Sequence, residues 1–521
     1  MNVGVPYAAA YRTINRSART MHERRPSVND AAASEGDPGG WRMLVRDPKW
    51  RGLSVILIGT FLSVIVHNIA TVTLPSIAAD FGATLAEVQW VAIAVSLTTA
   101  AVVMPAGYLA DRLGRRAFFI GGMALFAAAS LMAGWAPSLE SLIAARLLQG
   151  AATAIVGANG IAIAVTLFPE GERGKVLGLS SATVGFSALV APAVGGIVVE
   201  AGGWRWAYHA LALPAVVGAV GAWLVLESGR SPESADGPGR FDWFGSSAIA
   251  GIAVTLVLGL TMGPVVGWTE PLVWSSIAAA AALGGAYVWW ELRTPHPVFD
   301  LRLLRRRAVV TPLGARIVLL MGLSGGGFLV PFYIQGVLGF SARDLGFILV
   351  PGFAVYTLVA TLAGRFSDRW TPRPFLIAGP LVGLASVLAL ASFGSDTPLA
   401  VVVLVLVVNS ASLSLVTSPS TNAMLGAVPE RVYTVAVAFM NLAGTIAGIV
   451  ALALITAIVT AVMAAAGAEA SVSAVASDPA TTGAFLDGWR VAFLVQAAFM
   501  LAAAVIGLMY RPAARKETRP S

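Results

Sequence analysis

The sequence contains no cysteine, and charged residues make up only 12% of its 521 positions. The first absence excludes disulfides, thiolate metal sites and a thiol nucleophile. A Walker A segment is also missing, because the only Gly-Lys pair, at Gly174, is followed by valine. The four histidines lack zinc-site spacing. With 57% hydrophobic residues and a mean hydropathy of +0.79, the chain is too apolar to be a soluble domain.

Fourteen apolar stretches are long enough to cross a bilayer as helices, and too long to be the strands of a membrane barrel. In lipid, a helix satisfies its own backbone polar groups. We therefore predict an all-α membrane protein with 14 transmembrane helices. The predicted spans are 53–75, 88–109, 117–135, 141–167, 175–199, 206–226, 243–263, 271–290, 309–334, 344–363, 375–393, 398–423, 433–463 and 489–510.

Basic residues are distributed unevenly over the predicted loops. If the N-terminus is inside, 29 of the 34 Lys and Arg residues lie in the tails and inner loops. Only Arg205, Arg343 and Arg490 lie on the outer side, the last at the outer edge of the fourteenth span. Two more, Arg146 and Arg316, lie within spans. The positive-inside rule then predicts that both termini are cytoplasmic. Because the inner basic residues are spread over eight segments, they do not indicate nucleic-acid binding.

Two segments repeat in the two halves of the chain. GYLADRLGRR, Gly107–Arg116, lies between the second and third spans, and a weaker copy, GRFSDRWTPR, lies at Gly364–Arg373 between the tenth and eleventh. Gly-Trp-Arg begins the sixth span at Gly203 and the fourteenth at Gly488. Repeats of this kind are typical of transporters built from two similar bundles. We predict two six-helix bundles with two helices inserted between them.

This organisation assigns each part of the chain a place. The predicted parts are a flexible cytoplasmic tail (1–52), an N-terminal bundle (53–227), a cytoplasmic loop (228–242), two inserted helices (243–291), a second cytoplasmic loop (292–308), a C-terminal bundle (309–510) and a cytoplasmic tail (511–521). The Ala/Ser-rich stretch 464–487 is predicted to be an irregular outer connector.

Several signatures follow one another in order along the chain. They comprise Gly107, Asp111, Arg112, Gly114, Arg115 and Arg116 in the first repeated loop; Arg146, Gln149 and Gly150 in the fourth span; Gly185, Pro192, Gly195 and Gly196 in the fifth; and Tyr333, Gln335, Gly339, Gly346 and Pro351 around the ninth and tenth. From about residue 53 to 510, the chain resembles the fourteen-helix drug:proton antiporter family of the major facilitator superfamily.

The resemblance implies roles for two of these signatures. The first loop, with Asp368 and Arg369 in its copy, would act as a conformational switch that locks the inner ends of the bundles. The alternative is a turn that only sets topology. The fifth-span signature implies an exporter, although Ala191 stands where the family usually has glycine. Close packing of small residues, without a functional role, is the alternative there.

The chain departs from the family in its first span. The family usually has an aspartate there that is associated with proton handling, and this chain has Val66 at that position. All 27 acidic residues fall in a tail, in a loop or at the edge of a span. We therefore predict that no buried carboxylate is available to carry a proton.

His67 and Asn68 directly follow that position, and they are the polar residues that replace the missing aspartate. His67 shares a helical face with other polar residues, namely Thr60, Ser63 and Thr71. A helix rise of 1.5 Å per residue places Arg146 at a similar depth. His67 is predicted either to carry a proton, which a nearby guanidinium would disfavour, or to form neutral hydrogen bonds.

Two arginines are the predicted charges within the spans. The resemblance implies that Arg146, with Gln149, has a structural or coupling role and faces the cavity. Arg316 either extends its side chain to the inner headgroups or attracts an anionic group of the substrate. We place Gln335 and Asn441 with Arg316 in the predicted substrate site.

The predicted function is a secondary transporter that exports a lipophilic drug, lipid or natural product, with an ion gradient as energy source. The alternatives are an uptake carrier and a non-transporting sensor or lipid-handling scaffold. The chain is not predicted to be an enzyme, and no cofactor or metal is expected. The expected partners are a small lipophilic substrate, membrane lipid and protons, with no nucleic acid and a monomeric chain.

Overall fold

The computed structural model describes most of the predicted membrane region. The described residues are 47–226, 242–294, 299–429, 432–468, 475 and 478–511, without the side chains of Glu170, Asp368 and Thr434. The predicted tails, up to residue 46 and from residue 512, lie outside this part of the chain, as does most of the first loop, 227–241. The same holds for residues 295–298 in the second loop.

The chain divides into two compact units, Met1–Arg51 and Gly52–Ser521. In the described part of the first unit, the backbone amides of Trp50 and Arg51 each donate to the carbonyl of Asp47 at 3.2 Å. These bonds form a first helical turn. The second unit contains all of the sites described below.

Within the described residues, fourteen helices are long and apolar enough to cross a membrane. They confirm the predicted fold class, and we number them in chain order. The helices are α1 Pro48–Phe81, α2 Leu85–Leu113, α3 Arg115–Gly134, α4 Leu139–Thr166, α5 Arg173–Gly202, α6 Trp204–Val225, α7 Trp243–Val266, α8 Pro271–Glu291, α9 Arg307–Phe332, α10 Ala342–Arg369, α11 Arg373–Ala391, α12 Leu399–Leu425, α13 Tyr433–Ala465 and α14 Pro479–Leu508. Short 3₁₀ turns lie at Glu170–Glu172 and Leu301–Arg305, and α9 continues as a π-helical turn over Tyr333–Val337.

The largest departure from the predicted spans is in α14. The stretch 464–487 was expected to be irregular, but α14 begins at Pro479, and Gly488 lies well inside the helix. Asp478 caps the helix by accepting hydrogen bonds from the backbone amides of Ala480 and Thr481. An N-cap aspartate followed by proline is a strong start signal, so the prediction of a connector over 479–487 was wrong.

Local sequence explains how several other helices begin and join. α2, α4 and α10 each begin with a capping box, in the pairs Thr84 with Glu87, Ser138 with Ser141 and Ser341 with Asp344. α2 ends at Gly114, whose φ of 102° is readily adopted only by glycine. We call the end of the bundles that carries Gly107–Arg116 the motif end.

The helices pack as two groups with α7 and α8 beside them. In the first group α2 packs on α4, α3 packs on α4 and α6, and α5 contacts α6. In the second, α12 packs on α10 and α11, while α14 packs on α9, α11 and α13. The groups meet along α5 with α10 and α2 with α13, and α7 contacts α2, α8 and α13. These two lines of contact position the sites below.

Candidate functional site

The Gly107–Arg116 segment forms the junction between α2 and α3. Arg115 Nε donates to Asp111 Oδ1 at 2.7 Å, and this ion pair is partly exposed. The Gly114 amide closes α2 by donating to the Ala110 carbonyl at 2.9 Å. Asp111 is therefore paired within its own segment in this conformation, and the pair joins α2 to α3.

Two further arginines attach the segment to neighbouring helices. The Arg112 guanidinium lies 5.0 Å from the ring centroid of Tyr108, and that ring meets Trp243 of α7 edge-on at 5.6 Å. Arg116 Nη2 donates to the Trp223 carbonyl of α6 at 2.6 Å. The segment is thus connected both to the N-terminal bundle and to the first inserted helix.

Other residues of the predicted switch make less contact. At Gly107, a Cβ would lie 4.0 Å from the Ala158 side chain, so the position accommodates glycine without requiring it. In the second copy, Arg369 is exposed at the end of α10, and the side chain of Asp368 lies outside the described part of the chain. The switch role of both copies stays a prediction.

Arg146 is completely buried inside the N-terminal bundle. Its Nε donates to the Val91 carbonyl of α2 at 3.0 Å, and both terminal nitrogens donate to the Val66 carbonyl of α1 at 3.1 and 3.2 Å. Nη1 also donates to Gln149 Oε1 at 2.9 Å, and Gln149 Nε2 donates to Ser130 Oγ of α3 at 2.9 Å. One guanidinium on α4 therefore joins α1 and α2, and it reaches α3 through Gln149.

This environment differs from the one expected for Arg146. The acceptors around the guanidinium are neutral carbonyl oxygens, and the Tyr208 ring centroid lies 5.4 Å from its central carbon. Because Arg146 has no exposed surface, the expectation that it faces a cavity was wrong. Buried charges are retained only with compensating hydrogen bonds, which the carbonyls provide here.

His67 lies on α1 next to Val66, so it is at the depth of Arg146, as the helix-rise estimate predicted. His67 Nδ1 is 3.0 Å from the Ser63 carbonyl oxygen. Since a carbonyl only accepts, Nδ1 carries a hydrogen, and Nε2 is the nitrogen that can bind a further proton. Asn68 Nδ2 donates to the Val64 carbonyl at 3.0 Å, and both side chains are half-buried.

Arg316 occupies a different environment in the C-terminal bundle. Its Nη1 donates to Thr421 Oγ1 of α12 at 3.1 Å, and its Nη2 donates to Asn441 Oδ1 of α13 at 3.0 Å. The sulfur of Met440 lies 3.2 Å from Nη1. The side chain is half-buried and directed at polar groups of the bundle, not extended to the headgroups. The structure therefore brings Arg316 and Asn441 together and adds Thr421, which sequence reasoning missed.

Gln335 does not belong to that group. It lies 19 residues beyond Arg316, which corresponds to about 28 Å along a helix. Its Nε2 donates to the Val72 carbonyl of α1 at 3.4 Å, at the end opposite to the motif end. The prediction that Gln335 shares a site with Arg316 and Asn441 was wrong, and the side chain instead joins α9 to α1.

The glycines of α5 allow very close contact with α10. A Cβ at Gly196 would lie 2.5 Å from the Ala342 carbonyl oxygen. A Cβ at Gly346 would collide with the carbonyl oxygen of Pro192. Neither position can therefore take a side chain unless a backbone moves. The two bundles touch backbone to backbone at the end opposite to the motif end.

The contact becomes looser along α5 towards the motif end. At Gly195 a Cβ would lie 3.1 Å from Ile69 of α1, and at Gly185 it would lie 3.1 Å from Thr357 of α10. Closer to the motif end, no described atom lies within 4 Å of the Cβ position at Gly178, and that residue is exposed. α5 is thus in contact with α10 at Gly196 and Gly185, whereas its surface is open at Gly178.

The expectation that no carboxylate is buried was wrong. Glu291, the last residue of α8, is only 3% exposed. Its Oε1 accepts from the Phe299 amide at 2.6 Å and from Tyr287 OH at 3.3 Å. Its position at a span edge had suggested access to solvent, but the chain folds back over it at Phe299. Among the described residues, no group of three or more His, Cys, Asp or Glu side chains is placed to hold a metal ion.

The fold and these contacts can be compared with known proteins. The family model of the Major Facilitator Superfamily matches residues 56–452. The chain belongs to the major facilitator superfamily. It is 29% identical over 394 residues to the tetracenomycin C resistance and export protein of Streptomyces glaucescens, covering 75% of this chain and 72% of that one. It is 30% identical over 419 residues to the methylenomycin A resistance protein of Streptomyces coelicolor, covering 79% and 85%.

The fold of this major facilitator protein also matches solved structures. A bacterial homologue of the human lysosomal transporter Spinster, in an inward-facing, unoccupied conformation, superposes with a TM-score of 0.65. The match covers 89% of this chain and 98% of that one, at 17% identity. The family match and the relatives together show that the protein is a multi-pass membrane transporter and not an enzyme.

Proposed function

We propose that this protein is a secondary active transporter that exports a lipophilic small molecule by alternating access, driven by an ion gradient. Its relatives named for tetracenomycin C and methylenomycin A resistance support export of a drug-like natural product. Without Walker A spacing in the sequence, an ion gradient is the energy source that fits the chain.

The observation that carries the proposal is the graded contact between α5 and α10. Backbones touch at Gly196 and Gly346, whereas Gly178 is open. An alternating-access carrier needs two bundles that close at one end and part at the other. Glycine contacts without side chains allow the bundles to rock against each other without repacking large groups.

The half-buried group of Arg316, Thr421 and Asn441 is the proposed substrate site. Arg316 carries the positive charge of this group, and its two described polar partners are neutral. A site of this charge favours neutral or anionic amphiphiles and disfavours hydrophobic cations. Proton coupling through His67 Nε2 is part of the same proposal, with a neutral hydrogen-bonding role as its alternative.

The proposal places the protein in the cytoplasmic membrane as a monomer with both termini in the cytoplasm. Cysteine labelling tests this cleanly, because the native chain has none. Ser395→Cys, in the exposed turn between α11 and α12, should react with an impermeant thiol reagent on intact cells. Gly171→Cys, in the exposed turn between α4 and α5, should react only after permeabilisation. The reverse pattern would contradict the topology.

The decisive test of function compares two substitutions on the same helix. Gly185→Val places methyl groups against Thr357 of α10, while Gly178→Val meets open space. We expect both proteins to fold, and only Gly185→Val to lose efflux of a panel of labelled amphiphiles from proteoliposomes. A non-transporting sensor or scaffold would show no gradient-driven flux in any form, and an uptake carrier would show flux in the opposite direction.

A further inference from the structure

Two carboxyl groups meet where the inserted helices reach the motif end. Asp242 caps α7, and its Oδ1 accepts from the Gly245 amide at 2.7 Å and from Trp290 Nε1 at 2.9 Å. Glu291 ends α8, one residue after Trp290, and its Oε1 accepts from the Phe299 amide. Through its bond to Trp290, the Asp242 carboxyl is held at the end of α8, beside Glu291.

Within the described residues, the second oxygen of each carboxyl has no hydrogen-bond donor. Asp242 Oδ2 and Glu291 Oε2 are both buried, and neither has a hydrogen-bond partner among the described residues. A buried carboxylate oxygen without a donor is costly, and two ionised carboxylates side by side also repel. A single proton placed between them removes one charge and forms an O–H···O bond that satisfies both oxygens.

Among the described residues, no basic side chain forms an ion pair with Asp242 or Glu291. Tyr287 of α8 donates to Glu291, and Tyr108 of α2 lies beyond Trp243. The surrounding arginines are engaged elsewhere: Arg112 over the Tyr108 ring, Arg293 over the Trp289 ring, and Arg302 donating to the Leu292 carbonyl. Asp300 accepts from the Arg302 amide, and the described ionisable side chain on α13 is Tyr433. Arg240 and His296 lie outside the described residues.

The pair also stands between the two bundles. Next to Asp242, Trp243 meets Tyr108 of α2, in the N-terminal bundle, at 5.6 Å. Phe299, whose amide donates to Glu291, stacks on Phe439 of α13 in the C-terminal bundle. The ring centroids are 4.2 Å apart and the angle between the ring planes is 5°. One carboxyl is therefore connected to each bundle. A bond between the carboxyls would hold the two bundles in one relative position at the motif end.

We propose that Asp242 and Glu291 form a proton-binding site in which a single proton, taken from water, bridges the two carboxyls and sets the position of α2 relative to α13. The proposal rests on the proposed ion-coupled transport and adds, besides His67, a second site for the coupling proton, outside both bundles. Loss of the proton leaves two like charges, whose repulsion separates the start of α7 from the end of α8. The two bundles connected to these helix ends then move apart.

The first test detects the proton itself and needs no substrate. Infrared difference spectra of the purified protein between alkaline and acidic pH should contain the carbonyl stretch of a buried protonated carboxyl. Glu291→Gln and Asp242→Asn should each remove that band, and both retain side chains that can make the existing hydrogen bonds. Asp300→Asn, a capping substitution outside the pair, should leave it. A band that persists in both pair variants would overturn the proposal.

The second test measures the position of the bundles. Met104 of α2 and Leu442 of α13 pack in one cluster with Tyr287, so a Met104→Cys, Leu442→Cys protein reports their proximity through disulfide formation. We expect the oxidation rate, corrected for thiolate content with a free-cysteine control, to change with pH. Adding Glu291→Gln should abolish that change, and adding Asp300→Asn should not.

Two outcomes of this second test would overturn the proposal. One is an unchanged pH response in Glu291→Gln. The other is a response that follows sodium, potassium or magnesium concentration at fixed pH, which would assign the site to a metal cation. Neither measurement requires flux. A wild-type protein that binds the proton but shows no transport would therefore contradict the proposed exporter function and leave the proton site intact.

Discussion

The two arginines inside the membrane region differ in what surrounds their charge. Arg146 is 0% exposed, and the main-chain carbonyls of Val66 in α1 and Val91 in α2 hold its guanidinium together with the side-chain oxygen of Gln149. Arg316 is half-buried and bonded to the flexible side chains of Thr421 and Asn441. Main-chain carbonyls cannot turn away, whereas side-chain oxygens can. The comparison indicates that Arg146 braces a bundle, while Arg316 can exchange its partners for a ligand.

The same difference separates the contributions of the two residues to stability and to transport. Exchange of a protein oxygen for a substrate oxygen costs little when both are hydrogen-bond acceptors. Removal of a buried brace leaves a cavity and several carbonyls with fewer donors. Substitutions should therefore affect folding at Arg146 and selectivity at Arg316.

The largest expected effect is that of Arg146→Met. Methionine fills part of the volume but offers no donor to the Val66 and Val91 carbonyls, so we expect a loss of about 2–4 kcal/mol of stability. The measurement is the apparent midpoint of thermal unfolding in detergent, together with abundance in the membrane. Arg316→Met is the matched control and should shift the midpoint far less. Equal shifts for the two variants would remove the distinction between them.

The sequence predicted the fold better than the site. Hydropathy identified all fourteen helices of the described residues, because bilayer thickness fixes the length of each apolar stretch. Hydropathy failed at 479–487, because polar residues lower the hydropathy of this part of α14. Asp478 and Pro479 mark it as the start of a helix. Capping chemistry carried the missing information there.

Site residues were predictable only where side chains recognise side chains. Arg316 is bonded to Asn441, a residue predicted for the same site, whereas two of the three partners of Arg146 are main-chain carbonyls, which leave no trace in residue identity. The burial of Glu291 depends on the return of the chain at Phe299. A position at a span edge therefore says little about access to water, and only the tertiary contact reveals it.

The next effect is on charge selectivity. Arg316→Gln keeps hydrogen-bonding groups near Thr421 and Asn441 but removes the charge. Because a hydrogen bond to a charged group contributes about 1.5–3 kcal/mol, transport of anionic amphiphiles should fall about 10- to 100-fold relative to neutral ones. Proteoliposome flux of matched cationic, neutral and anionic compounds measures the ratio. A wild-type preference for cations would contradict the assignment of this group as the substrate site.

A smaller effect is expected at His67, which follows Val66, the residue whose carbonyl accepts hydrogen bonds from Arg146. His67→Gln retains an N–H donor for the Ser63 carbonyl but cannot gain a proton between about pH 5 and 8. If His67 Nε2 carries a proton, the variant should transport at a rate that no longer changes over this range. His209→Gln, at the other described histidine, should keep the wild-type pH dependence. Unchanged pH dependence in His67→Gln would assign it the neutral hydrogen-bonding role.

The smallest expected effect on stability is that of Asp111→Asn, which extends the comparison to an arginine in water. The Asp111–Arg115 pair is partly exposed, with the Asp111 side chain 48% exposed, and exposed pairs contribute up to about 1 kcal/mol. Thermal unfolding should therefore change little, whereas efflux should fall if the pair is exchanged for another partner in a second conformation. The matched control is Asp487→Asn, which breaks the exposed Asp487–Arg490 pair at the opposite end. That variant should keep both stability and efflux. The pair contributes little to stability, so a role in switching between conformations can be observed only as a change in the efflux rate. Normal efflux in Asp111→Asn would therefore leave the segment as a turn that sets topology.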